Sequence, residues 1–242
     1  MTRTPRTALV TGAASGIGAA IARRLVALDW RVVGLDVADA TADGIEQVRA
    51  DITDESAVAA ALTALPSLDA VVNAAGIATE TRVDDGDLDV VRRTIEVNLL
   101  GALHVTRAAL PLLRESPAPR VLHVGSIQGF RAGEASLGYA ASKGALHNAT
   151  RSMAIDLAAD GILVNALAPG FIDTPMAVLG DGRTEYETDW FRSVYVDHGR
   201  IPLRRPGTAD EVAAAAVFFV SAENTYVTGS ILAVDGGLTA GF

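Results

Sequence analysis

An α/β fold is predicted, with a doubly wound parallel sheet and helices on both faces, on three observations. Short β-rich runs alternate with Ala-rich helical stretches along the whole chain, a glycine turn joins the first strand to the first helix, and an acid ends the second strand. The candidate strands are 7–10, 31–35, 47–50, 68–72, 120–124, 163–167 and 231–234. Between them, apolar residues recur at helical spacing: Ile17, Ile21, Leu25 and Leu28, then Val91, Ile95, Leu99 and Leu103. No linker or low-complexity segment interrupts the 242 residues, so one domain over 1–242 is expected. Two stretches break the rhythm. Only 14 residues separate Asp36 from Asp51, which leaves room for a short helix or none. From Phe171 to Gly207 no strand-like run occurs, and long irregular segments of this kind tend to be lids or binding loops.

Half the residues are hydrophobic, enough for a sizeable core, which excludes a disordered or collagen-like chain. With no Cys there is no disulfide scaffold and little support for a metal site, so His104, His123, His147 and His198 are read as structural. The formal charge is −9, and basic residues cluster no further than pairs such as Arg23-Arg24, which argues against nucleic acid. The longest apolar run, Val212 to Val220, has nine residues, whereas a bilayer span needs roughly 18. Arg3 and Arg6 precede only Ala8-Leu9-Val10 before Thr11 and Gly12, too short for the apolar region of a signal peptide. A cytoplasmic protein with small-molecule or protein partners, and no membrane, is expected.

The turn Thr11-Gly12-Ala13-Ala14-Ser15-Gly16-Ile17-Gly18 lies where a dinucleotide pyrophosphate meets a helix start. Glycines allow the tight turn and close backbone approach, and free N–H groups at the helix start attract anions. An ATP-type phosphate loop is disfavoured, because GKS or GKT is absent. Asp36 follows Gly18 by 18 residues, close to the roughly 20 expected of an acid that binds the adenosine ribose hydroxyls. A carboxylate there repels the extra phosphate of NADP, and the neighbours Ser15 and Val37 are not basic, so NAD is the expected cofactor.

Nineteen of the 20 basic residues are Arg, and the single Lys is Lys143. It follows Tyr139 by four positions, so phenol and ammonium share one helical face. With four Tyr in the chain, that coincidence arises by chance about once in sixty. A nearby cation favours the ionised phenol, which suits Tyr139 to general acid and base work. Ser126 ends the fifth candidate strand; the surrounding Val124-Gly125-Ser126-Ile127-Gln128 is not a GxSxG nucleophile turn, so a hydroxyl that orients a substrate oxygen is the better role.

These residues resemble the short-chain dehydrogenase/reductase family over essentially the whole chain. TGxxxGxG at Thr11 to Gly18, Asn73-Ala74-Ala75-Gly76, Asn98, Ser126, YxxxK at Tyr139 to Lys143 and Pro169-Gly170 occur in the family's order and spacing. The resemblance implies a Rossmann-type, seven-stranded sheet and hydride transfer between a nicotinamide and an alcohol or ketone. It implies that Tyr139 moves the hydroxyl proton, that Lys143 lowers its pKa and binds the nicotinamide ribose, that Ser126 holds the reacting oxygen, and that Asn98 supports a water leading to solvent. Cofactor contacts carry over to Gly12, Ser15, Gly16, Ile17, Gly18, Asp36, Asp51, Ile52, Asn73, Ala74, Gly76, Tyr139, Lys143, Pro169, Gly170, Ile172 and Thr174. Asp51 would meet the adenine amine, and Thr174 with the Ile172 backbone the carboxamide. The family habit also implies a homotetramer. Ala74 stands where a second Asn is common, and the short 36–51 segment alters the adenine-side wall.

Specificity is expected from the residues between Ser126 and Tyr139 and from a lid at about 171–207. Four of the chain's 12 aromatic residues, Tyr186, Trp190, Phe191 and Tyr195, fall within ten positions there. They fit either a mobile lid with an aromatic inner face or a docked amphipathic helix. Gln128, Glu134, Ser136 and 181–187 make the pocket mouth polar, which favours a sugar, polyol or cyclic alcohol; the expected substrate contacts are Ser126, Gln128, Tyr139 and Trp190. The alternatives are a 3-oxoacyl thioester (acyl-carrier-protein) reductase, against which Asp36 and the acidic surface weigh, and a non-catalytic NAD-binding sensor, which would typically have lost Tyr139 or Lys143.

Overall fold

The computed structural model describes residues 5–38 and 43–241. Arg3, and residues 39–42 of the compressed segment after Asp36, lie outside them.

The elements run β1 (Thr7–Thr11), α1 (Gly16–Val26), β2 (Arg31–Asp36), β3 (Ile45–Arg49), α2 (Glu55–Thr63), β4 (Ala70–Asn73), α3 (Leu88–Ile95), α4 (Ala102–Arg114), β5 (Arg120–Val124), α5 (Leu137–Asp156) and β6 (Leu163–Pro169). Beyond them come β7 (Ile172–Asp173), α6 (Asp189–Phe191), β8 (Gly207–Thr208), α7 (Ala209–Val220) and β9 (Ile231–Val234). Seven strands form one sheet in the order β3-β2-β1-β4-β5-β6-β9, and all neighbours are parallel. Buried strand residues alternate between two apolar cores. Ala8, Val10 and Val32 meet α1 and α7 on one face, while Leu9, Val33 and Leu35 meet α2, α4 and the end of α5 on the other. The order reverses direction between β1 and β4, so a crevice opens at their C-terminal ends.

Local sequence accounts for the helix ends. Asp54 caps α2 by accepting from the Ser56 and Ala57 N–H groups, and Thr208 with Glu211 forms a capping box on α7. Val212 to Val220, the longest apolar run, is α7, whose Val212, Ala213 and Ala216 are buried. Among the described residues no helix is long and apolar enough to cross a membrane.

The structure departs from the expected elements at several places, among them β4, which begins at Ala70 rather than Leu68, and the short pair β7 and β8 in and at the end of the 171–207 stretch. Strand β3 begins at Ile45 rather than Gln47, and among the described residues no helix separates it from β2. Leu28 lies past the end of α1 and is half exposed. The stripe Val91, Ile95, Leu99 and Leu103 is only half-buried, because a π-helical turn at Glu96–Gly101 shifts the register between α3 and α4 and turns Thr94, Val97 and Asn98 inward instead.

Candidate active site

Backbone geometry at Gly12 and Gly18 leaves no room for side chains. Gly12 has φ +68°, and a Cβ on Gly18 would stand 2.2 Å from the Gly12 carbonyl oxygen. The Thr11 hydroxyl accepts from the Ala74 and Ala75 N–H groups at 3.1 Å each, tying the end of β1 to the end of β4 and holding the crevice open at a fixed width. Nothing in the sequence singled out Thr11 beyond its place in the turn.

A cleft of about 750 Å³ occupies this crevice. It is lined by Gly12, Ser15, Gly16, Ile17 and Gly18 from the turn, by Asp36, Asp51 and Ile52, and by Ala74 and Gly76 after β4. Ser126, Gln128, Tyr139 and Lys143 line it too, with Pro169, Gly170, Ile172 and Thr174 from the far side. One surface therefore collects nearly all the residues singled out from sequence.

At the adenosine end, the Asp36 carboxylate accepts from the Ala14 and Ala38 N–H groups, both at 3.0 Å. Asp51 accepts from the Thr53 N–H and hydroxyl and faces Arg93 at 3.2 Å. Those hydrogen bonds, the Thr53 backbone first, hold its carboxyl below the usual carboxylate range. A glycine turn facing an acid at the end of β2 fits a dinucleotide.

At the other end, Ser126 caps a short 3₁₀ turn and accepts the Gln128 N–H at 3.1 Å. Its hydroxyl also meets the Tyr139 oxygen. Tyr139 and Lys143 share one face of α5, and the ammonium lies 5.6 Å from the phenol ring centre. Lys143 is only 5% exposed and donates to the Val124 carbonyl at 2.9 Å. Desolvation pulls its pKa down to about 8. In the free chain, burial pushes the Tyr139 phenol above its ordinary value, and the Ser126 hydrogen bond draws it partly back. The expected lowering by Lys143 is not seen: loss of water sets the direction, the Ser126 hydrogen bond is what opposes it, and the ammonium is itself desolvated and engaged with Val124.

Asn98 does not line the cleft but stands behind it, inside the π-helical turn. Its amide donates to the Ile77 carbonyl at 2.9 Å and to the Ser142 hydroxyl at 3.1 Å, and accepts the Ile77 N–H at 2.8 Å. The segment after Gly76 is thereby held against α5.

Two expected contacts require correction. The Asn73 side chain points into the sheet, where its amide nitrogen meets the Thr106 hydroxyl at 2.9 Å and His123 Nδ1 at 3.2 Å, so it does not reach the cleft. Trp190 is 64% exposed and packs edge-on against Tyr195 outside the cleft, so it lines no substrate pocket in this structure. The irregular 171–207 segment folds over Phe171, against which Tyr186, Phe191 and Tyr195 pack within 6.2 Å. Tyr186 donates to the Ile172 carbonyl at 2.9 Å and, with Glu185, lines the cleft.

His147, read from sequence as structural, supports the site from behind. It continues the Tyr139 and Lys143 face by one turn and is 2% exposed, and a Cβ on Gly125 or Gly129 would come within 2.5 Å of its ring. Burial holds its pKa near 4, so a neutral ring props the Ser126 turn. His123 is also buried and neutral, at about 3. Among the described residues, no group of three or more His, Asp or Glu could hold a metal.

A family model described as enoyl-(acyl carrier protein) reductase matches residues 12–239. The chain is 40% identical to a cis-4-hydroxycyclohexanecarboxylate dehydrogenase of Sinomonas cyclohexanicum, covering 97% of each chain. It is 36% identical to a galactitol 2-dehydrogenase (L-tagatose-forming) of Cereibacter sphaeroides, covering 96% of this chain and 94% of that one. Among solved structures, the ligand-free aldohexose dehydrogenase of Thermoplasma acidophilum superposes with a TM-score of 0.90 at 31% identity, covering 98% and 95%.

Proposed function

The chain belongs to the short-chain dehydrogenase/reductase family, and from that premise we propose an NAD-dependent dehydrogenase that interconverts a secondary alcohol and a ketone on a small hydroxylated substrate. The observation that carries the reading is the convergence of Ser126, Tyr139 and Lys143 on one cleft with the glycine turn and Asp36. A bound nicotinamide supplies the hydride acceptor or donor. Ser126 orients the reacting oxygen. Tyr139, hydrogen-bonded to the same hydroxyl, takes the alcohol proton as the C–O bond becomes a carbonyl, and returns it in reduction. Lys143 binds the ribose and supplies positive charge beside the phenol. Asn98 acts from behind as a positioning residue.

Polar residues on the cleft wall, Ser126, Gln128, Glu134 and Ser136, support the hydroxylated-substrate reading. The acyl-carrier-protein alternative needs a basic docking surface, whereas the chain carries a formal charge of −9.

Cofactor preference rests on Asp36. Its carboxylate at the ribose end opposes a 2′-phosphate, although Arg49 stands opposite it in the strand register. NADH is expected to bind at least about tenfold more tightly than NADPH, a difference of about 1.4 kcal/mol. Fluorescence titration with both cofactors measures it, and tighter NADPH binding contradicts the assignment.

We also propose a homotetramer, supported by apolar side chains left on the outer helices, among them Leu88, Leu100, Leu137 and Ile155. Light scattering is expected to give four times the chain mass, and a monomer at assay concentration contradicts this.

A further inference from the structure

Helix α5 carries Tyr139 and Lys143, yet its own N-cap side chain does not close it. The Ser136 hydroxyl, instead of accepting from the first turn of α5, donates to the Gly133 carbonyl at 2.7 Å and accepts the Gly133 N–H at 3.1 Å. The first N–H groups of a helix have no partner within it, and a buried one left unpaired is costly. Here two of them are met from another part of the chain. The Thr81 carbonyl accepts the Leu137 N–H at 3.1 Å, and the Thr81 hydroxyl accepts the Gly138 N–H, also at 3.1 Å and across 57 residues. A third bond runs the other way, from the Thr81 N–H to the Ala135 carbonyl at 2.7 Å. Ala135 has φ +51°, a left-handed conformation that alanine adopts only at a cost, so this contact holds a strained residue immediately before the N-cap. The segment that carries Thr81 is itself fixed, since the Thr79 hydroxyl meets that of Thr94 at 2.8 Å and Asn98 holds both backbone polar groups of Ile77. Thr81 is buried and does not line the cleft, so it acts on the site through α5.

Resting on the dehydrogenase reading, we propose that Thr81 is a positioning residue for the proton transfer, capping α5 in place of its own N-cap side chain and so fixing where the Tyr139 hydroxyl meets Ser126. Tyr139 directly follows Gly138 and is the third residue of α5, so a shift of that first turn moves the phenol with it. A displacement of about 1 Å at a reacting group costs on the order of 10²-fold in rate.

Thr81→Val keeps the volume and the backbone bonds but removes the acceptor of the Gly138 N–H, whereas Thr81→Ser restores it. Rates with NAD and a panel of cyclic alcohols, polyols and sugars are set beside NADH fluorescence titration and hydrogen exchange at the start of α5. Thr81→Val is expected to lose kcat about tenfold or more, with KM and NADH affinity within about threefold of wild type, and to speed exchange at Leu137 and Gly138 about tenfold. Thr81→Ser is expected to stay within about threefold of wild type on every readout. A Thr81→Val that keeps more than about half the wild-type kcat, a loss that Thr81→Ser shares in full, a loss carried by NADH affinity, or failure of Thr81→Val to fold overturns the proposal. If the wild type turns over no alcohol of the panel, the dehydrogenase reading fails instead; unchanged exchange at Leu137 and Gly138 in Thr81→Val then still overturns the capping role, and faster exchange supports it.

Discussion

Tyr139→Phe is expected to lower alcohol oxidation by about 10²–10⁴-fold, the usual contribution of a positioned acid or base, while NADH affinity stays nearly unchanged. The substitution removes one oxygen from a half-buried ring and leaves the rest of α5 in place. Its cost should therefore fall on kcat and spare cofactor binding. Steady-state rates beside an NADH titration separate the two effects. A variant retaining more than about a tenth of the wild-type rate contradicts the proton-transfer role. The pH profile has a definite sign. Oxidation needs the phenolate, and burial holds the phenol above its ordinary value in the free chain, so oxidation should rise from neutral into alkaline pH. Reduction needs the phenol and should persist at neutral pH.

Lys143→Met is expected to uncouple activity from stability. Turnover should fall about 10²-fold or more, because the positive charge beside the phenol is lost. Stability should rise at neutral pH. The ammonium is buried against one carbonyl, and its pKa falls from 10.5 to about 8 on folding. That depression is a penalty of about 3 kcal/mol on the charged form. It is fully present below pH 8, where both folded and unfolded chains hold the proton. Between about 8 and 10.5 the unfolded chain binds more protons, so wild-type stability recovers as pH rises and the advantage of Lys143→Met shrinks. Thermal melts at pH 7 and pH 10 check this. A variant less stable than wild type at pH 7 contradicts the description of Lys143 as a strained, functionally retained charge.

Much of the site was legible because its chemistry sits at fixed offsets. The glycine turn, Asp36 at 18 residues, and Tyr139 four before Lys143 each depend on one element's own geometry, which spacing reports directly. What spacing does not report is where a regular element is interrupted. The π-helical turn at Glu96–Gly101 inserts an offset that sends Asn98 inward and leaves the periodic stripe half-buried. The four clustered aromatics do not lie on one helix face, because their segment is built from a 3₁₀ turn at Glu185–Glu187, the three-residue α6 and a π turn at Arg192–Asp197. Phe191 consequently enters the core while Trp190 remains outside. Asn73 shows a third limit. Its position at the end of β4 is legible, but which face its side chain takes depends on Thr106 and His123, 33 and 50 residues away.

The proposed reaction is NAD-linked oxidation of a small hydroxylated alcohol, with Tyr139 taking the proton. The most direct measurement follows NADH absorbance when the wild type and Tyr139→Phe each meet NAD and a panel of sugars, polyols, cyclic alcohols and hydroxyacyl thioesters. NADH should appear with one or more of the sugars, polyols or cyclic alcohols for the wild type and not for Tyr139→Phe. NADH formation by both proteins alike, or by the wild type with the hydroxyacyl thioesters alone, would contradict it.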